Sequence, residues 1–354
     1  MTLSKQLAVV AAITCGTAIA TGGSMAQTSQ LGCGDTITAD TTLEADLTGC
    51  QSNGLVIGDD EITLDLNGHS ISGDGKLVRR CPRRQICDVG VANDGHDGVM
   101  VRNGSLRGFA TGVVVAGVSD NRLAGLSSSR NQFFGYVIAE SSRTVIRDST
   151  GNDNPAPDGD GLGVFGSHDL RIVGNSFRRN GQLGMHIESS TDNLIKGNVV
   201  ARNSDFGIFL EADGNQVRGN RSVRDGVTGI VVGPGSRNVI AGNRVSGGGE
   251  GIAIEKGRGN VVARNVVART RHSGIRLGID DPLIGSTRTV VRRNVVIAAR
   301  EDGYWVAESD RRALLVGNVA RGSGDDGFDI DSRSARLMRN RALGSAGQGF
   351  ELPG

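Results

Sequence analysis

From residue 112 to the C-terminus one short unit recurs, opening with a glycine followed by apolar-x-apolar and ending near an asparagine. Its clearest forms are GMHIESSTDNLIKGN (184–198), GIFLEADGNQVRGN (207–220), GIVVGPGSRNVIAGN (229–243) and GIAIEKGRGNVVARN (251–265). Weaker copies follow as GIRLG (274–278), GYWVAE (303–308), GFDID (327–331) and GFEL (349–352). With Gly112, Gly135 and Gly161 there are eleven anchors, spaced 23, 26, 23, 23, 22, 22, 23, 29, 24 and 22 residues apart. A unit this short cannot enclose a core of its own, so successive copies must stack as coils of a solenoid. No unit carries the apolar stripe of a helix, and leucine-rich repeats require a different leucine pattern. Each copy instead offers two or three short strands, which become stable only by pairing in parallel with the next coil about 4.8 Å away. The predicted fold class is all-β: a single-stranded right-handed parallel β-helix of about 11–13 coils.

Alternation assigns side-chain direction. Met185 and Ile187, Ile208 and Leu210, Ile252 and Ile254, Ile275 and Leu277, Tyr304 and Val306, and Phe328 and Ile330 are predicted to face inward. Asn175, Asn198, Asn220, Asn243, Asn265, Asn294, Asn318 and Asn340 share one repeat position. Stacked asparagines there would bond backbone groups that tight bends leave open.

Residues 1–26 read as a secretory signal, with Lys5 at the positive end, an apolar run from Leu7 to Ile13 and Ser24-Met25-Ala26 before a cut at Gln27. The segment is too short and too polar for a membrane span, and the expected location is secreted or periplasmic. The organisation that follows is an N-terminal cap with wider first coils over 27–110, continuous with regular coils over 111–354. In an oxidising compartment Cys33, Cys50, Cys81 and Cys87 are expected to form disulfides, with sequence proximity favouring Cys33–Cys50 and Cys81–Cys87. The first would staple the open end of the rod. The C-terminus has little chain left for a cap, so pairing with another chain through that end is one expectation for an oligomer. Removal of Lys5 leaves 38 basic against 38 acidic residues. Such a balance gives no basic face for nucleic acid.

The coils GIFLEADGNQVRGN and GIVVGPGSRNVIAGN, with the opening DEITLDLNGHSISGDG, resemble the right-handed β-helix repeat superfamily over residues 33–354. That superfamily includes pectate-lyase-like enzymes, polygalacturonases, alginate epimerases and NosD-like periplasmic proteins. The resemblance implies the fold and leaves the activity open. The DPHE-type motif of alginate epimerases is absent, and GDDG (324–327) with RHSGIR (271–276) echo the polygalacturonase set only in an unexpected order.

The outward face is where chemistry is expected. Two residues after the anchor it reads Gly163, His186, Phe209, Val231, Ala253, Arg276, Trp305, Asp329 and Glu351; four after, it carries Phe165, Glu188, Glu211, Glu255 and Asp331. Aromatics and carboxylates in this mixture suit a polysaccharide or oligosaccharide partner. Glu188 and Glu211 fall on successive coils, with His186 one alternation away as a proton relay. Asp329 and Asp331 form a second acidic pair, spaced like an inverting pair with room for water. These five are the candidate catalytic residues. Trp305, Arg276, Glu255, Phe209, Phe165 and His272 are the candidate substrate-binding residues, and Lys256 or His272 a candidate proton acceptor in a lyase. No cofactor is expected to be required, and Asp325 and Asp326 are the candidate ligands for calcium or another cation. The insertions carrying Asp158 and Asp160, and Asp280, Asp281 and Pro282, are expected to wall the groove. On these grounds the favoured activity is glycoside hydrolysis by a carboxylate pair. The alternatives are a lyase or epimerase acting on a uronic-acid polymer, and a non-catalytic envelope or carbohydrate-binding protein.

Overall fold

The structure is a computed structural model that describes residues 31–354 apart from 79–80, 82–84, 156, 280 and 282–284. The signal-like segment therefore lies outside the described residues, as do Asp280 and Pro282. All regular secondary structure among the described residues is strand. Fourteen strands, from Asp35–Ile37 to Phe350–Glu351, stack in one parallel sheet, which makes thirteen coil-to-coil steps. A second and a third column of short strands complete each coil; Arg122–Ser129 runs through both, pairing with Val145–Arg147 by one half and with Thr150–Asn152 by the other. The chain is a right-handed single-stranded parallel β-helix.

The register follows the glycine anchors. Leu162, Met185, Ile208, Ile230 and Ile252 stack in one inward column, and Val164, Ile187, Leu210, Val232 and Ile254 in the next. All ten are fully buried. Towards the C-terminus the first column turns aromatic: Tyr304 and Phe328 stack at 4.6 Å, and Phe328 and Phe350 at 4.8 Å. β-branched and aromatic side chains are what a pleated, buried surface accommodates best.

The asparagine ladder runs from Asn175 to Asn340. The backbone N–H and the side-chain amide of Asn198 both donate to Asn220 Oδ1, at 2.9 and 3.0 Å, and the pattern repeats coil after coil. The left-handed bend falls on the residue before each asparagine, as at Gly197 (φ 67°) and Gly219 (φ 62°), rather than on the asparagine itself. Two further ladders escaped the sequence reading. One passes through Asn131, Asn154, Asn180 and Asn203 and ends on Asp225; the other passes through Asn193, Asn215, Asn238 and Asn260.

Cys33–Cys50 and Cys81–Cys87 are both disulfides. At the far end Met338, Leu343, Phe350 and Leu352 are exposed, so no described element covers the last coil. Among the described residues no helix is long and apolar enough to cross a membrane.

Candidate functional site

Three features lie in sequence along the outer face of the fourteen-stranded sheet. The first is built on the strands Asp160–Phe165, Met185–Glu188 and Phe206–Glu211. Their pairing sets Gly163 beside His186 and His186 beside Phe209, and sets Phe165, Glu188 and Glu211 in one row. The imidazole meets the edge of Phe165 and stacks on Phe209, with ring centroids 5.5 Å apart in each case. Phe134 and Phe206 extend this shelf on either side. Gly163 makes room for it: a Cβ there would stand 2.6 Å from Phe165 and 2.9 Å from Phe134.

His186 was expected to point into solvent. The rings cover it and leave it 5% exposed. Its Nε2 lies 3.6 Å from Glu211 and 3.9 Å from Glu188, too far for a hydrogen bond, and neither ring nitrogen has a hydrogen-bond partner. Glu188 and Glu211 are half-buried. Asp160, expected to wall a groove, instead lies fully buried below the face, where Oδ1 accepts the Leu183 N–H at 2.8 Å and Oδ2 has no partner. Burial pushes its carboxyl up to about 7, against a lowering by the His186 charge.

The second feature centres on Arg276. Its guanidinium donates to Glu250 at 2.6 Å, to Glu255 at 2.9 Å and to the Gly278 carbonyl, and it is 8% exposed. Both carboxylates hold its pKa above the ordinary arginine value although burial opposes this. Arg276 is therefore occupied: it ties its own coil to the preceding one, whose strand Glu250–Arg258 carries both carboxylates. Alternation does not place Glu250 on the face, since it precedes the anchor Gly251; only the structure shows it. Arg276→Ala is expected to cost about 2 kcal/mol, below the value for a fully buried pair because the two carboxylates keep some solvent. Adding Glu250→Gln and Glu255→Gln should recover most of that loss, and denaturant unfolding of the single and triple variants measures it.

The third feature is acidic. Trp305 Nε1 donates to Asp331 at 3.0 Å, and Asp329 stands between Trp305 and Glu351 in register. Burial, then Asp331 and Asp302, push the Asp329 carboxyl up to about 7. Asp326 is buried; its backbone N–H donates to Asp302 Oδ1 at 3.1 Å, and its Oδ1 accepts the Gln348 N–H. The cation expected at Asp325 and Asp326 finds no three-ligand cluster there. Among the described residues the one group of three His, Cys, Asp or Glu side chains with ligand atoms within 4.8 Å of one another is His186, Glu188 and Glu211. His272 lies at the sheet edge, exposed, its Nδ1 2.8 Å from Glu301.

A family profile described as periplasmic copper-binding protein (NosD) matches residues 53–221 and 157–280, well over half the chain. The chain belongs to the NosD family. No curated protein matches the NosD-family sequence. Among solved structures it is similar to the A-module of the Azotobacter vinelandii mannuronan C-5 epimerase AlgE6, at 15% identity and TM-score 0.61, over 88% of this chain and 89% of that one. It is also similar to a double mutant of the periplasmic alginate epimerase AlgG, at 16% identity and TM-score 0.56, over 82% and 77%. A third is DFA-IIIase from Arthrobacter chlorophenolicus A6 in complex with DFA-III, at 12% identity and TM-score 0.51, over 75% and 72%. At these identities the likeness is one of fold. The favoured glycoside-hydrolase activity is nevertheless withdrawn, because the structures aligned over most of this chain at the higher TM-scores are epimerases.

The family description raises the question of which side chains here suit copper. The four described cysteines are in disulfides and Met185 faces the core, so a soft thiolate or thioether set is not assembled from them. His186, Glu188 and Glu211 offer one imidazole nitrogen and two carboxylate oxygens, a set that suits a borderline divalent ion such as copper(II).

Proposed function

We propose that this chain is an exported carbohydrate-active protein that acts on a uronic-acid polysaccharide by proton transfer next to the sugar carboxylate. The signal-like N-terminus, the two disulfides and the periplasmic description of the family agree on a secreted or periplasmic location. The β-helix likeness to two epimerases of alginate supports the substrate class. One observation carries the reading: two half-buried carboxylates, Glu188 and Glu211, stand in register on adjacent coils and converge on a buried imidazole beside an aromatic shelf.

In this reaction the C–H bond at the carbon bearing the carboxylate breaks. Its electron pair delocalises into the carboxylate, and the proton passes to one of the two glutamates. Return of a proton from the opposite face gives epimerisation. Expulsion of the neighbouring glycosidic oxygen gives elimination and a carbon–carbon double bond. Elimination needs a base for the carbon-bound proton and an acid for the leaving oxygen, which the Glu188–Glu211 pair would provide from one face; epimerisation needs the returning proton delivered from the other face of the ring. Phe165 and Phe209 provide apolar surface for a sugar face.

The test is incubation with alginate and polygalacturonate in deuterated buffer containing a chelator. Deuterium entering the sugar carbon reports proton abstraction, and ultraviolet absorbance reports the unsaturated product. Glu188→Gln and Glu211→Gln should each lower the rate about a hundredfold. Neither signal from the wild-type protein on any polyuronate, or full activity in both variants, rejects the reading.

A further inference from the structure

We propose that His186 Nε2 and the carboxylates of Glu188 and Glu211 form a binding site for one borderline divalent cation of the zinc(II) or copper(II) class. A second cation-bearing coil on the outer face gives the comparison, although its two carboxylates both come from the preceding strand. In the Arg276 coil a positive side chain stands in the column two residues after the anchor, between two carboxylates that it bonds at 2.6 and 2.9 Å. In the His186 coil the same column holds an imidazole between two carboxylates, at 3.6 and 3.9 Å and bonded to neither. Among the described residues Glu188 and Glu211 make no ion pair with lysine or arginine; His186 is their one charged contact. One acid pair thus has its cation built in, and the other has the gap for one.

The distances fit an ion. Ligand bonds of about 2.0–2.2 Å in a tetrahedron put neighbouring donor atoms roughly 3.3–3.6 Å apart. The separations of 3.6 and 3.9 Å contract to that range with small rotations of two half-exposed glutamates. A buried imidazole nitrogen without a partner is costly, and a metal bond satisfies it. The donor set discriminates among ions. One nitrogen and two oxygens suit zinc(II) or copper(II), whereas calcium takes six to eight oxygens. The fourth position faces solvent past the glutamates and would take water or a carbohydrate oxygen.

The inference stands without the uronate reading. It also bears on it, because ion binding occupies both carboxylates and so makes the cation an inhibitor of proton transfer by the same pair. The chain without its signal segment, untagged and chelator-treated, is titrated calorimetrically with zinc chloride and with copper(II) chloride, in the absence of polysaccharide. One equivalent should bind, and His186→Ala and the Glu188→Gln/Glu211→Gln double variant should each weaken binding at least about a hundredfold. His168→Ala, which alters an exposed histidine paired with Asp169, should bind as wild type. Circular dichroism establishes that each variant is folded. Copper(II) bound to the wild type should show one nitrogen ligand by electron paramagnetic resonance. Absence of binding, or binding unchanged by His186→Ala, overturns the site. Binding of calcium in preference to zinc overturns the donor class. Because no substrate is present, failure here leaves the uronate assay intact, and failure of that assay leaves the titration intact.

Discussion

Asn220→Ala is expected to lower the unfolding free energy by about 3–5 kcal/mol. The alanine removes four buried hydrogen bonds. Asn198 loses the acceptor of its backbone N–H and of its side-chain amide, and the donations from Asn220 Nδ2 to the Ile195 carbonyl and to Asn243 Oδ1 disappear. Both Asn198 and Asn220 are essentially inaccessible to water, so the orphaned groups find no substitute. Each buried group left unpaired costs roughly 1–3 kcal/mol, and the small cavity left by the amide admits little relaxation. The same change at Asn340 should cost less than half as much, since that residue is partly exposed at the last turn of the ladder and has no asparagine beyond it. Guanidinium unfolding of the two variants distinguishes the cases. A loss under about 1 kcal/mol at Asn220 would mean that the ladder is not a principal source of stability. A solenoid adds a consequence, because each coil is held only by its neighbours. A break at Asn220 should lower cooperativity as well, read as a smaller denaturant slope.

The fold was legible in the repeat because the same few residues carry it at every turn. Gly184, Gly207, Gly229 and Gly251 fix the start of each strand, and the alternation after them predicts the buried columns that the structure contains. The Asn180–Asn203 ladder was equally present in the sequence, but the insertion before Gly161 shifts Asn154 from the offset kept by Asn131, Asn180 and Asn203, and the ladder changes residue type at Asp225 and then stops, so no repeat position advertised it. The outer face was legible in part. Placing Glu188 beside Glu211 needed only the repeat length. That His186 is buried could not be read from alternation, because its cover comes from rings on the preceding and following coils leaning across Gly163 and over the imidazole. That Arg276, a candidate substrate-binding residue, bonds Glu250 could not be read from alternation, because Glu250 sits before the anchor, where the in–out rule does not hold. Asp329 and Asp331 were expected as an acid pair on one face. The structure adds that Trp305 bonds Asp331 and that burial and neighbouring carboxylates raise the Asp329 carboxyl. The reaction class was misjudged for a related reason. Two carboxylates one rung apart suit hydrolysis and proton transfer equally well in sequence, and neither spacing nor composition separates them.

Asp160 sets the pH dependence of the rod, and its substitution is the change expected to separate most clearly from wild type. Its carboxyl is buried on all sides and pushed up to about 7, from 3.8 in an unfolded chain. Between those values the native state keeps a proton that the unfolded state has lost, so stability falls as pH rises. The stabilisation is fully present below the unfolded pKa and is gone once pH passes the folded one. The shift corresponds to a loss on the order of 4 kcal/mol between about pH 4 and pH 7. Asp225 and Asp310, raised by burial to about 6, act in the same direction over a slightly lower range. Asp160→Asn keeps an oxygen for the Leu183 N–H and matches the neutral carboxyl in shape, but it cannot ionise. The variant should match wild type near pH 4 and exceed it by most of that difference at pH 8. Its remaining slope would come mainly from Asp225 and Asp310. Parallel profiles of the two proteins, followed by guanidinium unfolding across this range, would show that Asp160 already ionises normally in the native state. His186 provides an internal control on the same measurement. The His186 imidazole is the largest influence opposing the upward shift, so His186→Ala should leave Asp160 more reluctant to ionise. The fall in stability should then extend to higher pH, a change in the profile that simple loss of packing at position 186 would not produce.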